Sequence, residues 1–254
     1  MRVAISYPVP FQSDENWSEF KPAVEKFCRT WRENPPCIDC TLYAIALDRE
    51  LGSAVKRIFD GLPADFSIIY EGHGYDIGAA QWLGQHGDHD FQISMPSRVH
   101  FHRPGWAARL VEARKRHGPG LYGTSASWES GHLHIRTACY GMDTTDWQSY
   151  PHIIDSREKG TFFEIGKDNP IGSLSDWFID RNQRAWVVYW NTEHDCPTCM
   201  MKEANIFRRG TQENLLVFDK HSDYYANASE EEKHKLEGMC FDTPRESGVC
   251  ENGS

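Results

Sequence analysis

The sequence predicts an α/β fold: a single domain on a Rossmann-type mixed sheet, mainly parallel and flanked by helices. Two observations carry this. Over the first 117 residues short β-rich runs alternate with segments of helical period, and strands joined through helices run parallel. Across the 254-residue chain neither an internal repeat nor a low-complexity linker marks a boundary, and the length suffices for one sizeable core.

Residues 3–7 form the first β-rich run, closed by Pro8 and Pro10. Residues 18–32 follow as a helix: Phe20, Val24, Phe27 and Trp31 recur at spacings of three and four, Ser18 is placed to cap, and Pro35-Pro36 stops it. A strand is expected over 41–47, a helix over 51–59, a third strand over 65–70, and a helix from Asp76 to residue 83. The fourth strand is 91–95, and 105–117 is helical with Trp106, Leu110 and Ala113 on one face. Past residue 118 the pattern changes to a glycine-rich run, 118–123, then a β-like stretch over 132–140 and a helix over 144–150. A Ser173-capped helix to residue 181, a strand over 185–190 and a charged helix over 229–237 precede a flexible tail. Ligands of such sheets sit beyond the carboxyl ends of the strands, which directs attention to the loops after Tyr7, Leu47, Tyr70 and Met95.

The formal charge of −10 disfavours a protein that grips nucleic-acid backbones by bulk electrostatics. No stretch approaches the run of about 18 apolar residues that a membrane span needs, and the first residues read as a strand instead of a signal peptide, so a cytoplasmic location is expected. The nine Trp are divided between core and cleft-lining roles. Eight scattered cysteines include two C-x-x-C pairs, Cys37 with Cys40 and Cys196 with Cys199, which leave open a shared structural zinc, disulfides or free thiols.

Several segments resemble the GT-A superfamily of glycosyltransferases. Glu71-Gly-His-Gly-Tyr-Asp76-Ile-Gly78-Ala79 is similar to the Gly-x-Asp-x-Gly-Ala helix opening beside the donor in those enzymes. Val99-His-Phe-His-Arg-Pro-Gly105-Trp106, with Arg109-Leu110 following, resembles their segment after the fourth strand. Gly118-Pro-Gly-Leu-Tyr-Gly123 followed by His134-Ile-Arg136-Thr137, Phe163-Glu164 ahead of the Ser173-capped helix, and Arg209-Gly-Thr-Gln212 through Asp219-Lys-His221 complete the series. The resemblance implies a GT-A-like domain over 1–225, with a nucleotide-binding half (1–104) and an acceptor and closing half (105–225), followed by a C-terminal helix and tail (226–254).

What the resemblance implies is transfer of a sugar from a nucleotide-sugar donor, a UDP-sugar in the first instance, to a hydroxyl of a small molecule or glycan, by an inverting displacement. A modified nucleic-acid base is an acceptor that the charge does not support. The implied donor contacts are Tyr7, Pro8 and Asp48 for the nucleoside; Gly74 and Asp76 at the helix opening; Ser97, Arg98 and His100 after the fourth strand; and His134, Arg136 and Thr137 along the sugar or acceptor wall. The chain departs from the pattern where Pro96-Ser97-Arg98 replaces the Asp-x-Asp that holds a divalent Mn or Mg ion. Asp88-His89-Asp90 precedes the strand and so lies at its wrong end. A guanidinium at Arg98 can cradle phosphate without an ion, and His221 is the candidate for a metal or diphosphate contact. Glu164, beside Phe162 and Phe163, is the candidate general base. Each has a structural alternative: a surface ion pair for Arg98, a helix cap for Asp76, a structural carboxylate for Glu164. The alternative function is a non-catalytic nucleotide-sugar-binding or scaffold protein on the same fold.

Overall fold

A computed structural model of the protein describes residues 1–127, 134–166, 172–196 and 206–240. The first strand, β1 (Val3–Val9), is buried along its whole length, as an apolar run between two neighbouring strands must be. α1 (Asp14–Glu33) starts earlier than the Ser18 reading: Ser13 is the cap, its hydroxyl accepting from the Asn16 amide at 3.1 Å, with Asp14 and Glu15 in the positive first turn. Its buried stripe is Val24, Phe27, Cys28 and Trp31. β2 (Thr41–Leu47) follows the predicted bounds. The next helical reading shortens to α2 (Ser53–Lys56) plus one 3-10 turn, Arg57–Phe59. The predicted third strand splits into β3 (Ala64–Asp65) and β4 (Ile69–Tyr70), both on β2.

α3 (Tyr75–His86), β5 (Phe91–Ser94) and α4 (Trp106–His117) follow in the expected order. The glycine-rich run then contains a central strand, β6 (Gly120–Gly123). β7 (Ala126–Ser127) and β8 (His134–Ile135) make a small separate ladder, and β9 (Tyr140–Asp143) returns to the main sheet before α5 (Thr144–Ser149). The predicted strand over 132–140 is thus divided, and its first two residues lie outside the described residues. α6 (Arg157–Ile165) carries Glu164, which the sequence reading placed ahead of a helix. α7 (Leu174–Asp180) is capped by Ser173 and Asp176 in a reciprocal capping box. β10 (Arg184–Val188), β11 (Glu193–Cys196), α8 (Lys220–Asn227) and α9 (Glu230–Cys240) complete the chain. Residues 241–254, including most of the expected tail, lie outside the described residues.

The main sheet runs β11-β10-β6-β9-β5-β1-β2-β3, with β4 beside β3 on β2. β1 is parallel to both β2 and β5, and β6 to β10; β9 is antiparallel to β5 and β6, and β11 to β10. The sheet is therefore mixed and mainly parallel. An aromatic stack of Phe27, Trp31, Phe101 and Trp106 packs α1 and α4 together. A second core holds Trp147, Phe163, Trp177 and Phe178. These tryptophans are core residues and not cleft aromatics. No helix among the described residues is long and apolar enough to cross a membrane.

The strand order also bears on the cysteines. Cys40 immediately precedes β2 and Cys196 ends β11, and the order places those strands six positions apart. At about 4.8 Å per position that is roughly 29 Å, too far for Cys40 and Cys196 to ligate one zinc ion. Cys37 and Cys40 are free thiols, and burial pushes the Cys40 thiol up to about 12. Cys199 lies outside the described residues.

Candidate functional site

A strand whose two successors lie on opposite sides of it opens a crevice at the carboxyl ends, because the connections leave toward opposite faces. β1 is such a strand, with β2 on one side and β5 on the other. A cleft of about 910 Å³ lies there. All four loops singled out from the strand order reach it: Pro8 near the end of β1 and Pro10 just past it, Leu47 at the end of β2, Gly74 to Ile77 after β4, and Pro96 to Arg98 after β5. Gln12, just before α1, and Asn16, Glu19 and Phe20 from its first turns also line it. The opposite wall is Arg136 to Ala138, one face of α6, and Asp219 to His221 at the start of α8.

Among the described residues, the cleft therefore gathers Pro8, Gly74, Asp76, Ser97, Arg98, Arg136, Glu164 and His221 of the residues expected from the sequence. Four others are elsewhere. Tyr7 is fully buried, its ring stacked on Phe27 at 3.8 Å and its hydroxyl donating to the Ser97 carbonyl at 2.9 Å; it shapes the loop after β5 without facing the cleft. Asp48 accepts from Gln12 Nε2 at 2.5 Å, so it fixes a cleft residue from behind. His100 is buried and pairs with Asp223 at 3.3 Å, tying the loop after β5 to α8. His134 is buried in the β7–β8 ladder. Alternation along β1 turns Tyr7 inward while Pro8 faces the cleft, since successive side chains of a strand point to opposite faces. Asp88 and Asp90 lie at the opposite end of the sheet, paired with Arg2 at 2.5 and 3.3 Å.

Gly74 has a packing reason of its own: a Cβ there would fall inside contact distance of the Ile154 carbonyl. Asp76, in the first turn of α3, is half-buried; burial raises its carboxyl above the ordinary range, and the neighbouring Glu164 charge adds to this against the pull of nearby backbone amides. Glu164 accepts from the Thr137 amide at 3.1 Å through Oε1, which orients the carboxylate beside Arg136.

Arg136 and Asp219 form the structural centre of this wall. Their side chains are each 8% exposed and meet at 2.8 Å, while Arg136 also donates to Ser125 Oγ at 3.2 Å and stacks on Phe207 at 3.9 Å. Burial alone would raise the Asp219 carboxyl, but the Arg136 guanidinium and the Ser222 amide outweigh it and hold it at about 2. Asp219 also caps α8, accepting from the His221 and Ser222 amides at 2.9 Å each. Burial, then the charge of Arg136, lowers the His221 imidazole to about 4, so the ring is neutral near pH 7. Its Nδ1 lies 3.1 Å from Arg208 Nη2, and because a guanidinium only donates, the ring proton sits on Nε2.

Across the cleft, Arg98 is held at 2.5 Å by Glu19 and lies over the Phe20 ring at 4.6 Å. Lys220 and Arg157, both exposed at the rim, have no carboxylate within ion-pair distance among the described residues. The sequence reading passed over these two, and each sits in the first turn of a helix whose cap is visible in the sequence: Asp219 three before Ser222, and Ser156 three before Lys159, whose amide it accepts at 3.2 Å.

No protein-family description matches the chain, and no curated protein matches it. Among solved structures, HddC from Yersinia pseudotuberculosis is similar over 61% of this chain and 81% of its own, with 11% sequence identity and a TM-score of 0.40.

Proposed function

We propose that the protein is a glycosyltransferase that uses a nucleotide-sugar donor, a UDP-sugar in the first instance, and a hydroxyl acceptor. The observation that carries this reading is the arrangement of charge at the β1 crevice: Arg98, Arg136 and Lys220 line the same cleft as Asp76 and Glu164. A diphosphate needs the first set and a hydroxyl to be deprotonated needs the second. The GT-A resemblance of the 71–79 and 209–221 segments is in keeping with it.

In the step this implies, the Glu164 carboxylate takes the proton of the acceptor hydroxyl. The acceptor oxygen bonds to the anomeric carbon from the face opposite the diphosphate, and the carbon–oxygen bond to the diphosphate breaks with its electron pair leaving on the phosphate. The configuration inverts. Lys220, Arg98 and Arg136 meet the charge that develops on the leaving group. Asp76, with its carboxyl raised, is the second acidic group of the cleft and suits a hydrogen bond to a sugar hydroxyl.

His221 does not suit a Mn or Mg ion. Its neighbours are Arg136, Arg208 and Lys220, both oxygens of Asp219 are already engaged, and Nδ1 faces a guanidinium. Divalent ions seek oxygen-rich anionic cages, whereas these surroundings favour an anion. The reading is therefore of cation-assisted departure without an ion at His221.

Release of nucleotide from a panel of UDP-, GDP-, ADP- and dTDP-sugars, with wild-type and Glu164→Gln protein, tests the proposal. One donor should turn over in wild-type only; turnover of none, with tight binding of a nucleoside diphosphate retained, favours the binding-protein alternative, for which the pairing of Arg98 with Glu19 and the absence of a carboxylate pair at Pro96-Ser97-Arg98 speak.

A further inference from the structure

We infer that the acceptor carries an anionic group, a carboxylate or a phosphate, which Arg157 binds at the far end of α6 from the reacting hydroxyl. The inference rests on the glycosyltransferase reading and adds the chemical class of its acceptor.

The residues of α6 that line the cleft are Arg157, Gly160, Thr161 and Glu164. Their spacing of three, four and seven puts them on one helical face. Glu164 is fastened at the Arg136 end by the Thr137 amide. Seven residues back along the helix, roughly 10 Å by its rise, Arg157 stands at the rim, exposed and without a carboxylate partner among the described residues. In a chain of net charge −10 a cation left unpaired in a cleft is not explained by folding. Thr161 between them donates its hydroxyl to the Arg157 carbonyl at 3.1 Å, which leaves its oxygen as an acceptor.

Gly160 is a separate observation that points to a ligand. It sits inside a helix, where alanine is preferred, and its φ is not in the left-handed region. A Cβ there would meet only Ile77 Cδ1, at 3.5 Å, an ordinary contact. Contrast Gly74, which the Ile154 carbonyl excludes from bearing a side chain. Nothing within the described protein requires glycine at 160, and its absent methyl widens the cleft midway between the base and Arg157. A bound molecule passing close to the helix backbone accounts for it. Arg157, Gly160, Thr161 and Glu164 thus form a strip with a cation at one end, a gap in the middle and a proton acceptor at the other.

The test is equilibrium binding of glucose, glucuronate and glucose 6-phosphate to wild-type, Arg157→Gln and Gly160→Ala proteins, each with saturating UDP present so that donor-site anion binding is blocked. UDP affinity is measured first on all three. Wild-type protein should bind one or both anionic probes at least tenfold more tightly than glucose, and the comparison of the two probes separates carboxylate from phosphate. Arg157→Gln should abolish the preference and leave UDP affinity within twofold. Gly160→Ala should raise the Tm, by helix propensity, yet weaken the anionic probe severalfold. No preference for an anion, including no binding of any of the three, overturns the inference, as does a loss of UDP affinity in Arg157→Gln, which would assign Arg157 to the diphosphate. Failure of UDP to bind wild-type protein, with Arg157-dependent binding of the anionic probes, overturns the donor reading alone.

Discussion

The two walls of the cleft hold their arginines in opposite ways. Arg98 and Glu19 make a short ion pair with side chains 37% and 64% exposed, whereas Arg136 and Asp219 meet at 8% exposure each, with Ser125, Phe207 and the α8 amides completing their shells. A surface pair is worth about 0–1 kcal/mol and is easily exchanged for another partner. A buried one is costly to break, because the surviving charge has no water to turn to. The difference assigns roles: the α8 wall is preset, and the α1 wall can release Arg98 to a ligand phosphate without loss of fold.

Breaking the preset wall should have the largest effect. Arg136→Met leaves the Asp219 charge buried without its guanidinium partner, and should cost about 3–5 kcal/mol in urea unfolding, with Arg136→Met/Asp219→Asn recovering part of it. Glu164→Gln comes next: it retains an oxygen for the Thr137 amide and so should keep the Tm, while sugar transfer falls about 10²–10⁴-fold.

Acid sharpens the same contrast. Asp219 titrates at about 2 against an ordinary 3.8, and His221 at about 4 against 6.5. Both bind protons less readily in the folded protein than in the unfolded chain, so their contributions are complete above the ordinary values and are lost on acidification. Stability should fall first between pH 6.5 and about 4, from His221, and again from about 3.8 to about 2, from Asp219. Denaturant titrations across that range should show both steps in wild-type protein and a smaller lower step in Arg136→Met. The smallest effect is expected from Glu19→Gln, at most about 1 kcal/mol in stability, with nucleotide affinity unchanged or raised because Arg98 is freed.

The parallel half of the sheet was the more legible in sequence. β2 has the bounds that its run of β-rich residues predicts, and the strand order up to β5 directed attention to the loops that form the crevice. α7 is announced by Ser173 and Asp176, since a reciprocal cap is a local device. What was not legible depends on distant partners. The glycine-rich run over 118–123 gave no strand signal, yet it holds the buried strand β6, where Gly123 leaves the space that the Ile135 side chain fills. α6 was missed because Gly160, Thr161 and two phenylalanines are weak helix formers, and its packing on α3 and α7 overrides propensity. Within the site, residue type and loop placed Arg98, Arg136 and Glu164, but not the direction of Tyr7 or His100, whose side chains turn toward Ser97 and Asp223, far along the chain. His134 pairs across a ladder with Ser127 whose connecting residues lie outside the described ones.

The central claim is that the cleft binds a nucleoside diphosphate through protein cations. Calorimetric titration of UDP into wild-type and Lys220→Met protein, in excess chelator, tests it most directly, because Lys220 is exposed and has no carboxylate partner among the described residues, so its loss should leave the Tm unchanged. The account predicts binding that survives the chelator and weakens about tenfold in Lys220→Met, or about 1.4 kcal/mol. No binding of UDP or of any other nucleoside diphosphate, or an affinity indifferent to Lys220 and abolished by chelator, would contradict it.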